Sequence, residues 1–353
     1  MSNTKTILVA PLHWGLGHAT RCIPIIRALL EQGYRVMIAS DGAALLLLQK
    51  EFPQLPSLEL PSYDITYPKK GAHFKWSILS KLPHLQKTIS EEKKVIGALV
   101  AEGRIDGLIS DNRLGVRNKN IPSVFITHQL NVLSGDTTYF SSKLHQKTIK
   151  KFTACWVPDV AETPNLSGKL GHLKNLKFPV TYIGPLSRMQ KKDVPIVYDI
   201  LALLSGPEPQ RSLLEELLLS EFQGSGKRVL LIQGKVEARQ KRKTIGNLEI
   251  VNYMNASELE TAINKSEVVV SRSGYTTIMD LAALQKKAFF IPTPGQYEQE
   301  YLAKRLKEQG LVPSCKQKRF TVEKLLKIPF YKGLQEFNPT ANFKELFRLF
   351  ERE

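Results

Sequence analysis

Short apolar runs alternate with amphipathic stretches along the whole chain. In the first half, residues 7–10 predict a strand. A helix is predicted over about 20–32, where Ile23, Ile26 and Leu30 recur on one face and Gly33 supplies the stop. Residues 35–40 predict a second strand, Asp41-Gly42 ends it, and 43–52 predict another helix before Pro53. Further strands are predicted at 107–110, 123–127, 154–157 and 181–184. Strands separated by helix-length connections imply a parallel sheet with helices on both faces.

The second half repeats this logic. A strand at 200–205 leads through the turn Gly206-Pro207-Glu208-Pro209-Gln210 to a helix at 211–222, with Leu213, Leu214, Leu217 and Leu218 as its buried stripe. Then follow a strand at 228–233, a basic insert at 235–243, a strand at 249–251 and a helix at 257–264. The series closes with a strand at 268–271, a helix at 276–285, a strand at 288–291 and a helix at 297–309. This predicts a doubly wound domain, in which ligands bind beyond the carboxyl ends of the strands. The boundary falls between Gly184-Pro185 and Val197, giving an N-terminal domain over 1–186 and a C-terminal domain over 187–353. Phe343, Leu346, Phe347 and Phe350 stand at helical spacing and predict a last helix that packs back on the N-terminal domain.

Two glycine turns stand at corresponding places in the halves: Gly15-Leu16-Gly17-His18-Ala19-Thr20-Arg21 and Ser271-Arg272-Ser273-Gly274-Tyr275-Thr276-Thr277. Each follows an apolar run and opens a helix, so its backbone N–H groups and the helix's positive end suit an anion such as a diphosphate. His18 stands at the mouth of its helix, where a neutral imidazole accepts a proton from a hydroxyl or water. Arg21 lies one turn further on, and His13 and Trp14 flank the turn. The same residues also fit a helix-capping histidine and a surface arginine. In the second turn Arg272, Ser273 and Gly274 offer a guanidinium, a hydroxyl and bare backbone to phosphate oxygens. Asp280 suits ribose hydroxyls or solvent, and Glu298-Gln299 place an acceptor and a donor side by side for sugar hydroxyls.

A length of 353 residues implies two domains, and 42% apolar with 24% charged residues is ordinary for a soluble globular protein. Cys22, Cys155 and Cys315 lie far apart, which supports neither a disulfide framework nor a zinc site and fits a reducing cytoplasm. The N-terminal stretch lacks a signal-peptide pattern, and the longest apolar runs fall short of the ~20 residues that span a bilayer. The formal charge of +17 attracts polyanions: acidic lipid, nucleic acid or phosphorylated substrates. Lysines that merely solubilise the surface account for it equally well. Residues 73–85 interleave Phe74, Trp76, Ile78, Leu79 and Leu82 with Lys75, Lys81 and His84. Such a segment fits either an anionic bilayer surface or a core helix with a wet lysine side. Lys143, Lys147, Lys150, Lys151 and the 235–243 insert fit either the same basic footing or solvated faces. RNP, KH and zinc-finger signatures are missing, which argues against nucleic acid as a partner.

The order strand, Arg-Ser-Gly, acidic residue, strand, proline loop, Glu-Gln resembles the donor half of glycosyltransferase family 28, and the N-terminal Gly-x-Gly-His-x-x-Arg resembles its acceptor-side turn. The resemblance runs through nearly the whole chain. It implies an α/β, GT-B architecture of two Rossmann-like doubly wound domains facing a cleft. It also implies inverting transfer of N-acetylglucosamine or another hexose from a UDP-sugar, without a metal or other cofactor. Carried across, Gly17, Gly206, Gln210, Arg272, Ser273, Gly274, Asp280, Glu298 and Gln299 would bind the donor. His18 would be the base, Arg272 would stabilise the departing diphosphate, and His13, Trp14, Arg21 and the loop containing His128 and Asn131 would line the acceptor. A lipid-linked acceptor would place the protein peripherally on the inner face of the membrane. The chain departs from the family at Leu302-Ala303, where Asn-Ala is usual, and at Asp280, where Glu is commoner. A UDP-sugar hydrolase with the same Gly-x-Gly-His turn is the rival reading, since His18 would then activate water.

Overall fold

The computed structural model describes residues 4–63, 74–133, 135–235, 237, 239–337 and 341–351, with backbone alone for 74–82 and 136. The chain divides into two compact units, residues 1–188 with 339–353, and residues 189–338. Both are mixed α/β with parallel sheets, as the alternation of apolar runs and helical stretches predicts.

In the first unit the elements run β1 (Thr6–Pro11), α1 (Gly17–Glu31), β2 (Arg35–Ser40), α2 (Gly42–Glu51), β3 (Ser57–Glu59), α3 (Phe74–Ala101), β4 (Gly107–Asp111), β5 (Ser123–Ile126), α4 (Thr138–Ile149), β6 (Ala154–Val157) and β7 (Val180–Tyr182). The seven strands form one parallel sheet in the order β3-β2-β1-β4-β5-β6-β7. Every residue of β1 and β4 is buried, the mark of central strands covered on both faces. Strand order reverses between β1 and β4, whose last residues, Pro11 and Asp111, pair in register. A ligand crevice is expected at this switch point.

The chain end returns to this unit as α9 (Phe343–Phe347) and a 3-10 turn over Arg348–Phe350. Phe347 and Phe350 are buried, Phe350 lies against Gly107, and Phe347 packs edge-on to Tyr34 at 5.9 Å and against Trp156 at 6.3 Å. Burial of each ring contributes about 2–3 kcal/mol.

The second unit runs β8 (Tyr198–Leu203), α5 (Gln210–Phe222), β9 (Val229–Ile232), β10 (Arg242–Ile245), β11 (Leu248–Val251), α6 (Ala256–Asn264), β12 (Ser266–Ser271), α7 (Tyr275–Ala283), β13 (Lys287–Phe290) and α8 (Tyr297–Glu308). Its sheet order is β10-β11-β9-β8-β12-β13. All pairs are parallel except β10, which folds antiparallel onto β11. Part of the basic insert thus forms an exposed, charged edge strand, a composition that discourages edge-to-edge pairing. Its core joins Leu214, Leu218 and Phe222 of α5 to Leu231, Val270 and Phe289 of the sheet.

Candidate active site

In the first unit, three neighbouring strands deliver polar side chains to their carboxyl ends. The chain leaves β1, turns through Gly15 and starts α1 at Gly17, so His18 sits in the first turn of the helix. Asp111 is the last residue of β4, and His128 follows β5. His18 Nδ1 lies 2.8 Å from Asp111 Oδ1. The fully buried Arg21, one turn along α1, donates from Nε and Nη2 to the two Asp111 oxygens, and its Nη1 lies 3.3 Å from His128 Nδ1. Asn112 Nδ2 adds a 3.2 Å bond to Asp111 Oδ1.

Burial alone would raise the Asp111 pKa, but the Arg21 guanidinium and His18 outweigh it and hold the carboxyl well below the usual range. Asp111 is therefore an acceptor-only carboxylate; His18 Nδ1 faces both it and Arg21 Nη2, each at 2.8 Å, and the Nδ1–H tautomer is the one that donates to the carboxylate. This tautomer leaves Nε2 with the lone pair. Burial lowers the His18 pKa, and nearby Arg21 and His128 add to that against the opposing pull of Asp111. The imidazole is thus neutral near pH 7, with 13% of its side chain exposed. A neutral, oriented imidazole fits a general base. Arg21 is not a surface charge: its buried guanidinium faces Asp111, His18 and His128.

A second buried network supports the same sheet edge. Arg113 donates to Glu92 Oε1 (2.7 Å), Asp41 Oδ1 (2.6 Å) and the Pro61 carbonyl (2.6 Å). Tyr63 donates its hydroxyl to Glu92 Oε2 at 2.5 Å. Asp41 in turn holds His13, whose Nδ1 is 3.2 Å from Asp41 Oδ2. Gly42 makes room for that ring: a Cβ there would fall 2.3 Å from His13 Cε1, and the backbone φ of +51° also favours glycine. His13 is one-third exposed and Trp14 is 40% exposed. Asn131 spends its side-chain amide on the Lys169 carbonyl at 2.7 Å, so it braces its loop rather than offering that donor to an acceptor.

In the second unit, the loops after β8, β12 and β13 meet at the sheet's carboxyl edge. Arg272, at 1% exposure, donates from Nη1 to the Ile291 and Pro292 carbonyls (both 3.1 Å) and from Nη2 to the Gln210 carbonyl (2.8 Å). Burial brings its pKa down to about 10, so it stays charged. Arg272 thus ties the three loops together, while its Nε is buried without a hydrogen-bond partner. Ser273 likewise turns its hydroxyl to the Gln299 carbonyl (2.8 Å), not outward. Gln299 Oε1 accepts the Thr293 N–H at 2.9 Å. Gly274, without a side-chain cap, opens α7 with its first N–H groups unsatisfied by the helix. Gly206 stands across from Thr293, with φ +104° and only the Thr293 hydroxyl near its missing Cβ, at 3.8 Å. Asp280 in the middle of α7 and Glu298 at the start of α8 are half-buried.

Residues 205–330 match the glycosyltransferase family 28 C-terminal domain, which covers these three loops. Over that stretch the chain is similar to family 28, and its relatives and structural neighbours are glycosyltransferases. A Methanosarcina mazei protein described as an uncharacterized glycosyltransferase is 24% identical over 318 residues, spanning 84% of this chain and 82% of its own. The UDP-N-acetylglucosamine–N-acetylmuramyl-(pentapeptide) pyrophosphoryl-undecaprenol N-acetylglucosamine transferase of Glaesserella parasuis is 24% identical over 342 residues, spanning 92% and 88%. Among solved structures, the glycosyltransferase of kitacinnamycin superposes with a TM-score of 0.66 at 15% identity, over 99% of this chain and 96% of its own. Its fold agrees with the GT-B expectation.

The glycosyltransferase's sequence motifs lead to His18, Arg21 and His128 in one cluster, and to Gln210, Arg272, Ser273 and Gln299 in another. They pass over Asp111, Asp41, Arg113 and Glu92. The signal for Asp111 was a carboxylate closing an apolar strand next to β1, which becomes visible once the sheet order is known. Among the described residues, no three His, Cys, Asp or Glu side chains converge as a metal cage. The side chains of 73–82, on which the expected bilayer-facing segment rests, lie outside the described residues; the backbone from Phe74 is helical.

Proposed function

We propose that this glycosyltransferase transfers a hexose, N-acetylglucosamine as the leading candidate, from a UDP-sugar to a hydroxyl of a lipid-linked acceptor, with inversion and without a metal. The observation that carries the reading is the His18–Asp111–Arg21 constellation. His18 Nε2 takes the proton as the acceptor oxygen forms its bond to the anomeric carbon. The bond from that carbon to the diphosphate oxygen breaks in the same displacement, and UDP leaves with the electron pair. Asp111 stabilises the imidazolium that forms, and Arg21 keeps Asp111 ionised and in place.

The donor belongs to the loops of the second unit. The unsatisfied N–H groups and positive end of α7 suit the diphosphate, Asp280 the ribose, and Glu298 and Gln299 the sugar hydroxyls. Arg272 serves by fixing the loops. The lipid-linked acceptor and UDP-N-acetylglucosamine draw support from the Glaesserella relative's printed activity, and with such an acceptor the protein would work at the inner face of a membrane. No helix among the described residues is long and apolar enough to cross one.

A thermal-shift panel of UDP- and dTDP-sugars tests the donor, and UDP release with and without polyprenyl-linked or diacylglycerol acceptors tests the reaction. Stabilisation by a UDP-sugar, with release dependent on acceptor, is expected. Rapid release without acceptor would identify hydrolysis instead.

A further inference from the structure

Three cations of the first unit stand together without a counter-charge. The connection from β4 to β5 is pinned on two sides: Gly115 N–H donates to Glu92 Oε2 of α3 at 2.8 Å, and Asn118 N–H donates to Ser123 Oγ at 3.1 Å. Ser123 N–H donates in turn to Thr153 Oγ1 at 2.9 Å, at the start of β6. Arg117 is thereby held between Lys93, which follows Glu92 on α3, and Lys151, two residues before Thr153. Both lysines are exposed, whereas Arg117 is half-buried and its Nε is buried without a hydrogen-bond partner. Among the described residues, none of the three side chains has a hydrogen bond or an ion pair.

The carboxylates nearest in sequence are spent elsewhere. Glu92 Oε1 accepts from Arg113, and its Oε2 accepts from Tyr63 and from Gly115 N–H. Glu91 lies 3.9 Å from Lys87. Burial, and then the charges of Arg117 and Lys151, lower the Lys93 pKa, and burial lowers that of Arg117; no carboxylate opposes either shift. A half-buried guanidinium with an unspent Nε–H, flanked by two ammonium groups, is a donor set for an oxyanion.

We infer that Lys93, Arg117 and Lys151 form a binding site for a soluble phosphate-bearing ligand. Three formal positive charges suit the charge of about −1.5 to −2 and the three acceptor oxygens of a phosphate monoester better than the single charge of a carboxylate. Arg117 supplies a planar fork and the lysines supply point charges. Lysines that only solubilise keep apart from one another, and an arginine that only solubilises keeps its Nε in water. The site is separate from the candidate active site: Arg117 stands six residues beyond Asp111, on the connection whose Arg113 and Gly115 both bind Glu92. A ligand there ties α3, that connection and the end of α4 together.

The test is thermal unfolding of the full chain in phosphate-free buffer with added inorganic phosphate, against chloride at matched ionic strength, which measures screening alone. Arg117→Gln and Lys93→Gln/Lys151→Gln are compared with the unsubstituted protein. Phosphate should raise the Tm of the unsubstituted protein above its value in chloride, and each variant should need at least about tenfold more phosphate for the same rise. Without phosphate, Arg117→Gln should be as stable as the unsubstituted protein or more so, because the like-charge repulsion and the burial of a charge are relieved. A response to phosphate no larger than that to chloride would overturn the inference. A response that both variants keep in full would overturn it too, by placing the phosphate elsewhere, the N-terminus of α7 included. If Arg117→Gln does not fold, the pair of exposed lysine substitutions decides. Stabilisation by phosphatidylglycerol vesicles or duplex DNA, with none by phosphate, would likewise count against the site.

Discussion

His18 Nδ1 meets Asp111 Oδ1 at 2.8 Å across 93 residues of sequence, and donation to that carboxylate leaves Nε2 for chemistry. Asp111→Asn keeps the shape but replaces an ionised acceptor with an amide able to donate to Nδ1, favouring the tautomer that puts the proton on Nε2. Loss of about 10²–10⁴-fold in kcat is expected, the usual worth of a positioned base. Donor KM should change little. Steady-state kinetics on the variant check both numbers.

The pH profile follows from the lowered His18 pKa. In the proposed mechanism the neutral form is the base, so activity is lost as pH falls through the folded value, which lies below 6.5 because burial, Arg21 and His128 together outweigh Asp111. The acid limb of kcat/KM should therefore have its midpoint below 6.5. Asp111→Asn removes the groups' main upward pull and should move the midpoint lower still. A midpoint at or above 7 would remove His18 from the role.

Arg272→Met separates a loop clamp from a phosphate ligand. The substitution deprives three carbonyls of a charged donor, so unfolding in urea should show a loss of about 2–4 kcal/mol, with weaker nucleotide-sugar binding as a consequence of loosened loops. Weaker binding at unchanged stability would return Arg272 to direct contact with the diphosphate.

His145 supplies a pH-dependent stability of its own. It packs edge-on against Phe125 at 5.6 Å, and burial, with His128 adding to it, depresses its pKa to about 4. An unfolded histidine titrates near 6.5, so between these values the unfolded chain binds the extra proton and native stability falls as pH falls. The window is worth about 3 kcal/mol, with no further contribution below pH 4. Denaturant titrations at pH 7 and pH 4.5 should show this loss, and His145→Leu should flatten it.

Where a strand's burial and its apolar run coincide, the fold is legible in the sequence: β1, β4 and β12 read directly as parallel strands, and α1, α5 and α7 as crossovers between neighbouring strands. α4 escapes such a reading because Tyr139, Phe140 and Leu144 point to solvent, which inverts the usual pattern of apolar residues on the buried side. β10 escapes because its four residues are all exposed and stand within a basic stretch. At the candidate site, the Gly-His-x-x-Arg spacing reveals His18 and Arg21, since one helical turn joins them. Asp111 has no local signal. Only sheet order brings β4 beside β1, and only the side-chain directions show that Arg272 and Ser273 face inward.

The most direct measurement is kcat and donor affinity for His18→Ala, with UDP release followed in the presence of acceptor and nucleotide-sugar binding followed by calorimetry. A drop of about 10²–10⁴-fold in kcat with donor affinity held within about twofold is predicted, since in the proposed mechanism His18 removes a proton and the second unit holds the donor. Turnover equal to that of the unsubstituted protein would contradict the account.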